Sequence, residues 1–299
     1  MTKLVTVFGA TGQQGSSVVR ELLKNGNFKV RALTRDPSSE ASKSLKELGA
    51  EVVKSNDTDS KEAIQEVLKG SDAVFALTIA FAQNETDVGK KIADAAFGAG
   101  VKHFVFSGLP PCNKISNGRI IVPHFDQKYL VEEYVRELSE SNPSFISSFV
   151  YAPFYYQNFK SFVPKKNENG DGGYTISLPS NGKPMDMGDV DNIGAIVCEI
   201  LLNENKYSGV VVPFSGGALS GPEIANIFSK VSGKSVTFKF IPPSIFRTFG
   251  FPNANDLASM FEFYNEFGVF NDLDQSIASK ITKFTTFGEY LKNSNFKLD

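Results

Sequence analysis

The chain has 299 residues, 41% of them hydrophobic and 21% charged, the make-up of an ordinary globular protein rather than a disordered, collagenous or coiled-coil one. Thirty-one Lys and Arg stand against 33 Asp and Glu, a net charge of −2 with no basic run longer than two, so direct nucleic-acid binding is not expected. Two cysteines, Cys112 and Cys198, and two histidines, His103 and His124, fall short of a disulfide framework and of the usual zinc sets.

Leu4–Phe8 reads as a strand, too short and too alternating for a signal-peptide core. After a glycine-rich turn, Val18, Val19, Leu22 and Leu23 recur at helical spacing up to Asn25-Gly26. Lys29–Leu33 is a second strand, and Ala41, Leu45 and Leu48 line a helix that stops at Gly49. Val52-Val53, Ala73–Leu77 and Phe104–Phe106 supply three more strands. The helices between them carry Ala63, Ile64, Val67 and Leu68 on one face, then Val88, Ile92, Ala95 and Ala96. The segment from about Phe125 to Leu138 is again helical, and Ser144–Val150 is a sixth strand. Strands alternating with helix-period segments build a parallel sheet from βαβ units.

The rhythm changes near residue 152. Tyr151–Phe162 is crowded with aromatics and Asn167–Gly173 is a loop. Asp191–Leu202 and Pro222–Val231 are helical, with a short strand at Val210–Val212. The C-terminal third is rich in Phe and weakly periodic, with helices near Asn255–Tyr264 and Phe287–Lys292. The expected architecture is a Rossmann-type doubly wound parallel sheet over residues 1–152. A smaller α+β cap over 153–299 completes it, with some segments returning to the sheet. No metal site is expected: Asn167, Asn169, Asp171 and Gly172 imitate the front of a calcium loop, but its first position lacks a carboxylate and its twelfth is Leu178. No apolar stretch approaches the roughly 18 residues of a membrane span, and a cytoplasmic protein is expected.

Gly9-Ala10-Thr11-Gly12-Gln13-Gln14-Gly15 follows the first strand directly and opens the first helix. In that place the first glycine permits a tight turn, the second lets backbone N–H groups approach a pyrophosphate, and the third lets helix and strand pack closely. The helix N-terminus adds partial positive charge. The second strand ends in Thr34-Arg35, where a dinucleotide site for NAD would carry an acid. A guanidinium there can fork onto a 2′-phosphate, which favours NADP(H), although Asp36 follows at once and a one-residue shift would give it the ribose.

Such a loop on such a sheet is similar to the short-chain dehydrogenase/reductase superfamily, whose hydride transfer uses Ser, Tyr and Lys, the last two as Tyr-x-x-x-Lys on the fifth helix. Here that helix begins Val122-Pro123-His124-Phe125-Asp126-Gln127-Lys128. Lys128 keeps the lysine, His124 replaces the tyrosine, and Ser107 stands where the serine belongs. The one Tyr-x-x-x-Lys in the chain, Tyr156–Lys160, follows the sixth strand and is out of place. No catalytic residue is therefore assigned outright; an enzyme would use Lys128, His124 and Ser107.

More closely, the chain resembles the NmrA-like family of atypical short-chain dehydrogenase/reductases, and within it the NADP-sensing branch. The matching stretches are VTVFGATGQQGSSVVREL at 5–22, FKVRALTRDP at 28–37, LGAEVV at 48–53, FVFSGL at 104–109, PHFDQKYLVEEYVRE at 123–137 and KPMDMGDVDNIG at 183–194. The resemblance implies a redox sensor that binds NADP(H), lacks the catalytic tyrosine and acts in transcriptional regulation. Its partner would be a regulatory protein, in fungi a GATA-type transcription factor, which places the nucleus beside the cytoplasm. It implies that Gly9–Gln14, with Thr34, Arg35 and Ser39, hold the pyrophosphate and 2′-phosphate. Asn56 and Asp57 would meet the adenine, and Thr78, Ile79 and Ala80 the nicotinamide half. Lys128 would reach the nicotinamide ribose, and Tyr155, Tyr156, Gln157 and Asn158 would close that end. Asn56 departs from the usual acid, and Asp87 stands where the sensor branch carries lysine. The second functional reading is an NADPH-dependent reductase of quinone, carbonyl or phenolic small molecules, using Lys128, with Phe154, Tyr155, Tyr156, Phe159 and Phe162 lining an apolar pocket. For a sensor, Phe261, Phe263, Phe267 and Phe270 are candidates for the partner surface.

Overall fold

A computed structural model describes residues 2–168, 170–270 and 272–298, so Asn169 of the calcium-loop-like run lies outside the described residues. The first half runs β1 (Lys3–Val7), α1 (Gln13–Asn25), β2 (Phe28–Thr34), α2 (Glu40–Glu47), β3 (Glu51–Lys54) and α3 (Lys61–Leu68). It continues through β4 (Ala73–Ala76), α4 (Glu85–Gly98), β5 (His103–Gly108), α5 (Cys112–Ile115), α6 (Pro123–Ser141) and β6 (Ile146–Tyr151). The second half supplies β7 (Phe154–Tyr155), β8 (Lys165–Lys166), β9 (Tyr174–Leu178), β10 (Met185–Gly188), α7 (Ile193–Leu202), β11 (Val211–Pro213) and β12 (Gly217–Leu219). It ends with α8 (Gly221–Ser232), β13 (Val236–Phe240), α9 (Pro243–Phe246), α10 (Ala254–Phe267), α11 (Ser276–Ser279) and α12 (Phe287–Asn293).

Seven strands form one parallel sheet in the order β11-β6-β5-β4-β1-β2-β3. Every residue of β4 and β5 is buried, which explains why AVFA and HFVFSG read as continuous runs rather than alternating ones: helices cover both faces of the sheet. The chain leaves β1 toward β2 on one side and later fills β4 on the other, so the strand order switches direction beside β1. Open α/β sheets bind ligands at that crevice.

The strand expected at Val210–Val212 is β11, and it pairs with β6 at the sheet edge. Helix α7 packs on α1 so closely that Ser17 Oγ donates to the Asp191 carbonyl at 2.9 Å and accepts the Gly194 N–H at 3.1 Å. Two small sheets, β12-β10-β7 and β13-β9-β8, complete the second half.

The Phe-rich C-terminal third reads as weakly periodic because its rings fill a core from several short elements. Phe154, Phe159, Phe228, Phe261 and Phe287 meet edge-to-face or tilted, with centroids 4.7–5.9 Å apart. Phe261, Phe263 and Phe270 are buried in that core and Phe267 is partly covered against it, so these rings do not form an open partner surface. Among the described residues no helix is long and apolar enough to cross a membrane.

Candidate functional site

A cleft of about 740 Å³ lies over the carboxyl ends of β1, β2 and β4. Gly9 turns the chain out of β1 at φ +58°, and Gly12 N–H donates back to the Gly9 carbonyl at 2.8 Å. A Cβ on Gly15 would fall on the backbone of Gly9 and Ala10, so only glycine lets α1 start this close to the strand. Gly12 caps α1 without any side-chain hydrogen bond, which leaves the first-turn N–H groups of the helix for a ligand.

Gly9, Thr11, Gly12, Gln13, Gln14, Thr34, Arg35, Asn56, Asp57, Ile79, Ala80 and Tyr155 all line this cleft. Three observations fit it to a dinucleotide. Gln14 Oε1 and Tyr155 OH are buried in its wall without a hydrogen-bond partner among the described residues. Arg35 is exposed at the end of β2 and makes no ion pair or hydrogen bond among the described residues. The Asp36 carboxylate, by contrast, is turned onto Ser38, accepting its N–H and its hydroxyl at 2.9 and 2.5 Å; those bonds hold its pKa below the usual range. The choice left open between Arg35 and Asp36 thus leans toward Arg35.

Several expected residues lie elsewhere. Ala10 is fully buried and gives its N–H to the Leu33 carbonyl. Gly15 serves packing rather than the cleft wall. Ser39 caps α2, accepting the Ser42 N–H at 3.3 Å. The turn into a 3₁₀ helix at Tyr156 rotates the Tyr156 and Gln157 side chains away from the cleft. Tyr156 is therefore buried against Phe287 and Tyr290 in the aromatic core, and Gln157 donates to Asp189 at 2.7 Å. Asp87 is exposed on α4 and touches neither pocket.

A second pocket of about 500 Å³ opens off the first and shares Gln14, Ala80, Phe81 and Tyr155 with it. Its walls are mostly apolar: Phe125, Phe154, Phe162, Leu257, Met260 and Tyr264. Ser107, His124, Lys128 and Asn158 supply polar groups. Of the five aromatics expected there, Phe154, Tyr155 and Phe162 line it, whereas Phe159 and Tyr156 belong to the core. Phe81, at the junction, holds φ +69°, a conformation that side chains rarely adopt outside functional turns.

Pro123 starts α6 at a position where its missing N–H costs nothing, and His124 and Lys128 then share one face four residues apart. Lys128 Nζ donates to the Thr78 carbonyl at 2.7 Å, to Thr78 Oγ1 at 2.9 Å and to Glu85 Oε1 at 2.5 Å. Thr78 Oγ1 donates to the same Glu85 oxygen at 2.6 Å. Burial pulls the lysine pKa down, and Glu85 opposes that shift. His124 Nδ1 is hydrogen-bonded to Asp256 Oδ1, and Asp256 Oδ2 accepts the His124 backbone N–H at 3.2 Å. Sequence reasoning missed both acids. Glu85 sat inside a glycosylation-like Asn84-Glu85-Thr86, although an acid in the first turn of α4, just past Thr78–Ala80, was a usable signal. Asp256 lies 132 residues from His124, and no local pattern links them.

A doubly wound sheet with a glycine loop at its switch point and a pocket beyond the second half of the cleft defines a dinucleotide-fold protein. The NmrA-like family model matches residues 1–291, and the chain belongs to that family. An NmrA-like family domain-containing protein of Dictyostelium discoideum is 46% identical over 305 residues, covering 100% of both chains. The NmrA-like family domain-containing oxidoreductase FrzB of a Cladobotryum species is 34% identical over 287 residues, 88% of this chain and 84% of that one. Crystal structures of NmrA, a negative transcriptional regulator, superimpose with TM-scores of 0.84 and, in complex with NADP, 0.82; each is 23% identical and covers 97% of this chain and 94% of the other. The NADPH-dependent quinone oxidoreductase QOR2 of Escherichia coli, complexed with NADPH, gives 0.78 at 20% identity, covering 98% of this chain and 100% of that one.

Proposed function

We propose that this protein is an NADP(H)-dependent reductase of small, largely apolar carbonyl or quinone molecules. The observation that carries this reading is the apolar pocket that continues the dinucleotide cleft and collects Ser107, His124 and Lys128 on its wall. In this light the missing tyrosine marks different acid–base chemistry rather than its loss.

The glycine loop and the N-terminus of α1 would take the pyrophosphate, Arg35 the 2′-phosphate, and Asn56 and Asp57 the adenine. Ile79, Ala80 and Tyr155 would hold the nicotinamide half, and Lys128, bonded to the Thr78 carbonyl and hydroxyl, would fix the turn that carries Ile79 and Ala80. The reduced dinucleotide, when bound, supplies a hydride. The protein excludes water with its aromatic walls and holds the acceptor over the open end of the cleft. Relatives named as oxidoreductases, and QOR2 with its NADPH, support the assignment by similarity.

The test is NADPH oxidation by purified protein across quinones, aldehydes and isoflavonoid-like acceptors, with nucleotide binding measured on the same sample. Turnover that Lys128→Ala abolishes while binding persists supports the reading. Tight NADP(H) binding with no turnover on any acceptor overturns it.

That second outcome would return the weight to a cytoplasmic or nuclear regulator. One observation favours this alternative: Phe251, on the pocket wall, is exposed, and so are Ile245 and Phe249 just before it in the chain, apolar surface suited to a protein partner. A GATA-type domain that binds with NADP(H)-dependent affinity, and loses it in Phe249→Ser, would support it.

A further inference from the structure

We propose that His124 is the proton donor of the apolar pocket, that Asp256 is its positioning residue, and that the pocket accepts uncharged carbonyl substrates. The proposal rests on the reductase reading above.

Three constraints fix the imidazole. Asp256 binds both Nδ1 and the backbone N–H of the same residue. Phe81 lies against one side, with centroids 4.6 Å apart, and Phe125 meets the ring edge-on at 4.8 Å. Nδ1 is thereby committed, and Nε2 has no hydrogen-bond partner among the described residues, on a side chain that lines the pocket. A carboxylate on one imidazole nitrogen sets the tautomer and leaves the other nitrogen for chemistry.

The other proton donors on this wall are poorly placed. All three Lys128 donors are spent on Thr78 and Glu85. Burial pushes the Tyr155 and Tyr264 phenols upward and makes them weak acids. Asp126, on the same helix as His124, is turned away, accepting the N–H groups of Asn113 and Val122.

The charges point to the substrate class. Lys128 is matched by Glu85 and His124 by Asp256, each within hydrogen-bond contact, so the pocket offers no spare cation to a carboxylate or phosphate. A neutral molecule with one carbonyl oxygen and an apolar body fits these walls. With Nδ1–H held by Asp256, Nε2 takes a proton from solvent and passes it to the oxygen of a carbonyl whose carbon receives a hydride from the reduced dinucleotide. The C=O becomes CH–OH, the ring keeps its Nδ1 proton against Asp256, the dinucleotide is left oxidised, and one solvent proton is consumed per turnover.

The experiment has two parts. The first is ¹⁵N NMR of histidine-labelled protein without nucleotide; only two histidines exist, and His103→Gln assigns them. His124 is expected as the Nδ1–H tautomer in the wild type and as a mixture in Asp256→Asn; an unchanged tautomer overturns the role of Asp256. The second is NADPH-dependent reduction of a neutral aromatic aldehyde and of its carboxylate-bearing analogue. His124→Gln is expected to lower kcat by about 10²- to 10⁴-fold, with NADPH affinity retained as the check on folding. Asp256→Asn should lower kcat while Asp256→Glu restores part of it. Full activity in His124→Gln overturns the donor assignment and leaves the reductase reading standing. Equal reduction of the carboxylate analogue overturns the charge selection. No turnover by the wild type overturns both.

Discussion

Lys128 Nζ and Glu85 Oε1 meet 2.5 Å apart, with side chains only 8% and 0% exposed, and the second Glu85 oxygen has no partner among the described residues. A buried pair of this kind stabilises little in net, yet losing one member strands a charge in the interior. Glu85→Gln is expected to lower unfolding free energy by about 3–5 kcal/mol, the range for breaking a buried pair. The Glu85→Leu/Lys128→Met double variant should recover most of that loss in chemical denaturation.

Arg35 faces solvent at the end of β2 with no protein partner among the described residues. If it holds the 2′-phosphate, Arg35→Glu removes a charge-assisted contact of about 1.5–3 kcal/mol, or roughly ten- to a hundredfold in NADPH affinity. NADH binding should change far less. Calorimetric titration of both nucleotides checks the difference.

The contact between α1 and α7 leaves no room for a methyl group. A Cβ on Gly194 would sit 2.5 Å from the Ser17 carbonyl oxygen, which is backbone and cannot swing aside. Gly194→Ala is expected to cost about 1–3 kcal/mol, the usual range for overpacking, read as a lower Tm.

His103 is buried in β5. Ser148 Oγ donates to the Tyr207 carbonyl, so the 2.8 Å contact with His103 Nε2 is an N–H donated to Ser148, and Nδ1 is left bare and buried. A second proton would find no acceptor, and burial lowers the pKa from 6.5 to about 4. The unfolded chain therefore binds the proton first as pH falls, so stability declines between pH 6.5 and 4 and rises again with pH. The shift corresponds to about 3 kcal/mol. His103→Gln should flatten the pH dependence of unfolding by that amount across the same window.

What the sequence made visible depended on distance along the chain. The glycine loop, Arg35 and the His124–Lys128 spacing are each set within a few residues by turn geometry or helix period, and all reach the cleft or pocket. The Tyr155–Asn158 run was carried over whole, but only Tyr155 and Asn158 line the pocket, because the 3₁₀ helix from Tyr156 turns Tyr156 and Gln157 away from it. Glu85 carried only the signal of an acid in the first turn of α4, and Asp256, 132 residues from His124, carried none, because only tertiary packing brings it to α6. The buried phenylalanines of α10 were ambiguous for a related reason: with no clean period, exposure is decided by neighbours from other elements.

Strand β11 carries a final consequence. It seals the flank of β6, so a protein ending near residue 152 would bare a row of unpaired backbone groups beside an uncovered face of α1. Such a fragment would be sticky rather than inert, and its nucleotide loop would rest on a helix that had lost its backing. The two halves share that seam, and the natural place for a tag or fusion is outside the contact that Ser17 and Gly194 make.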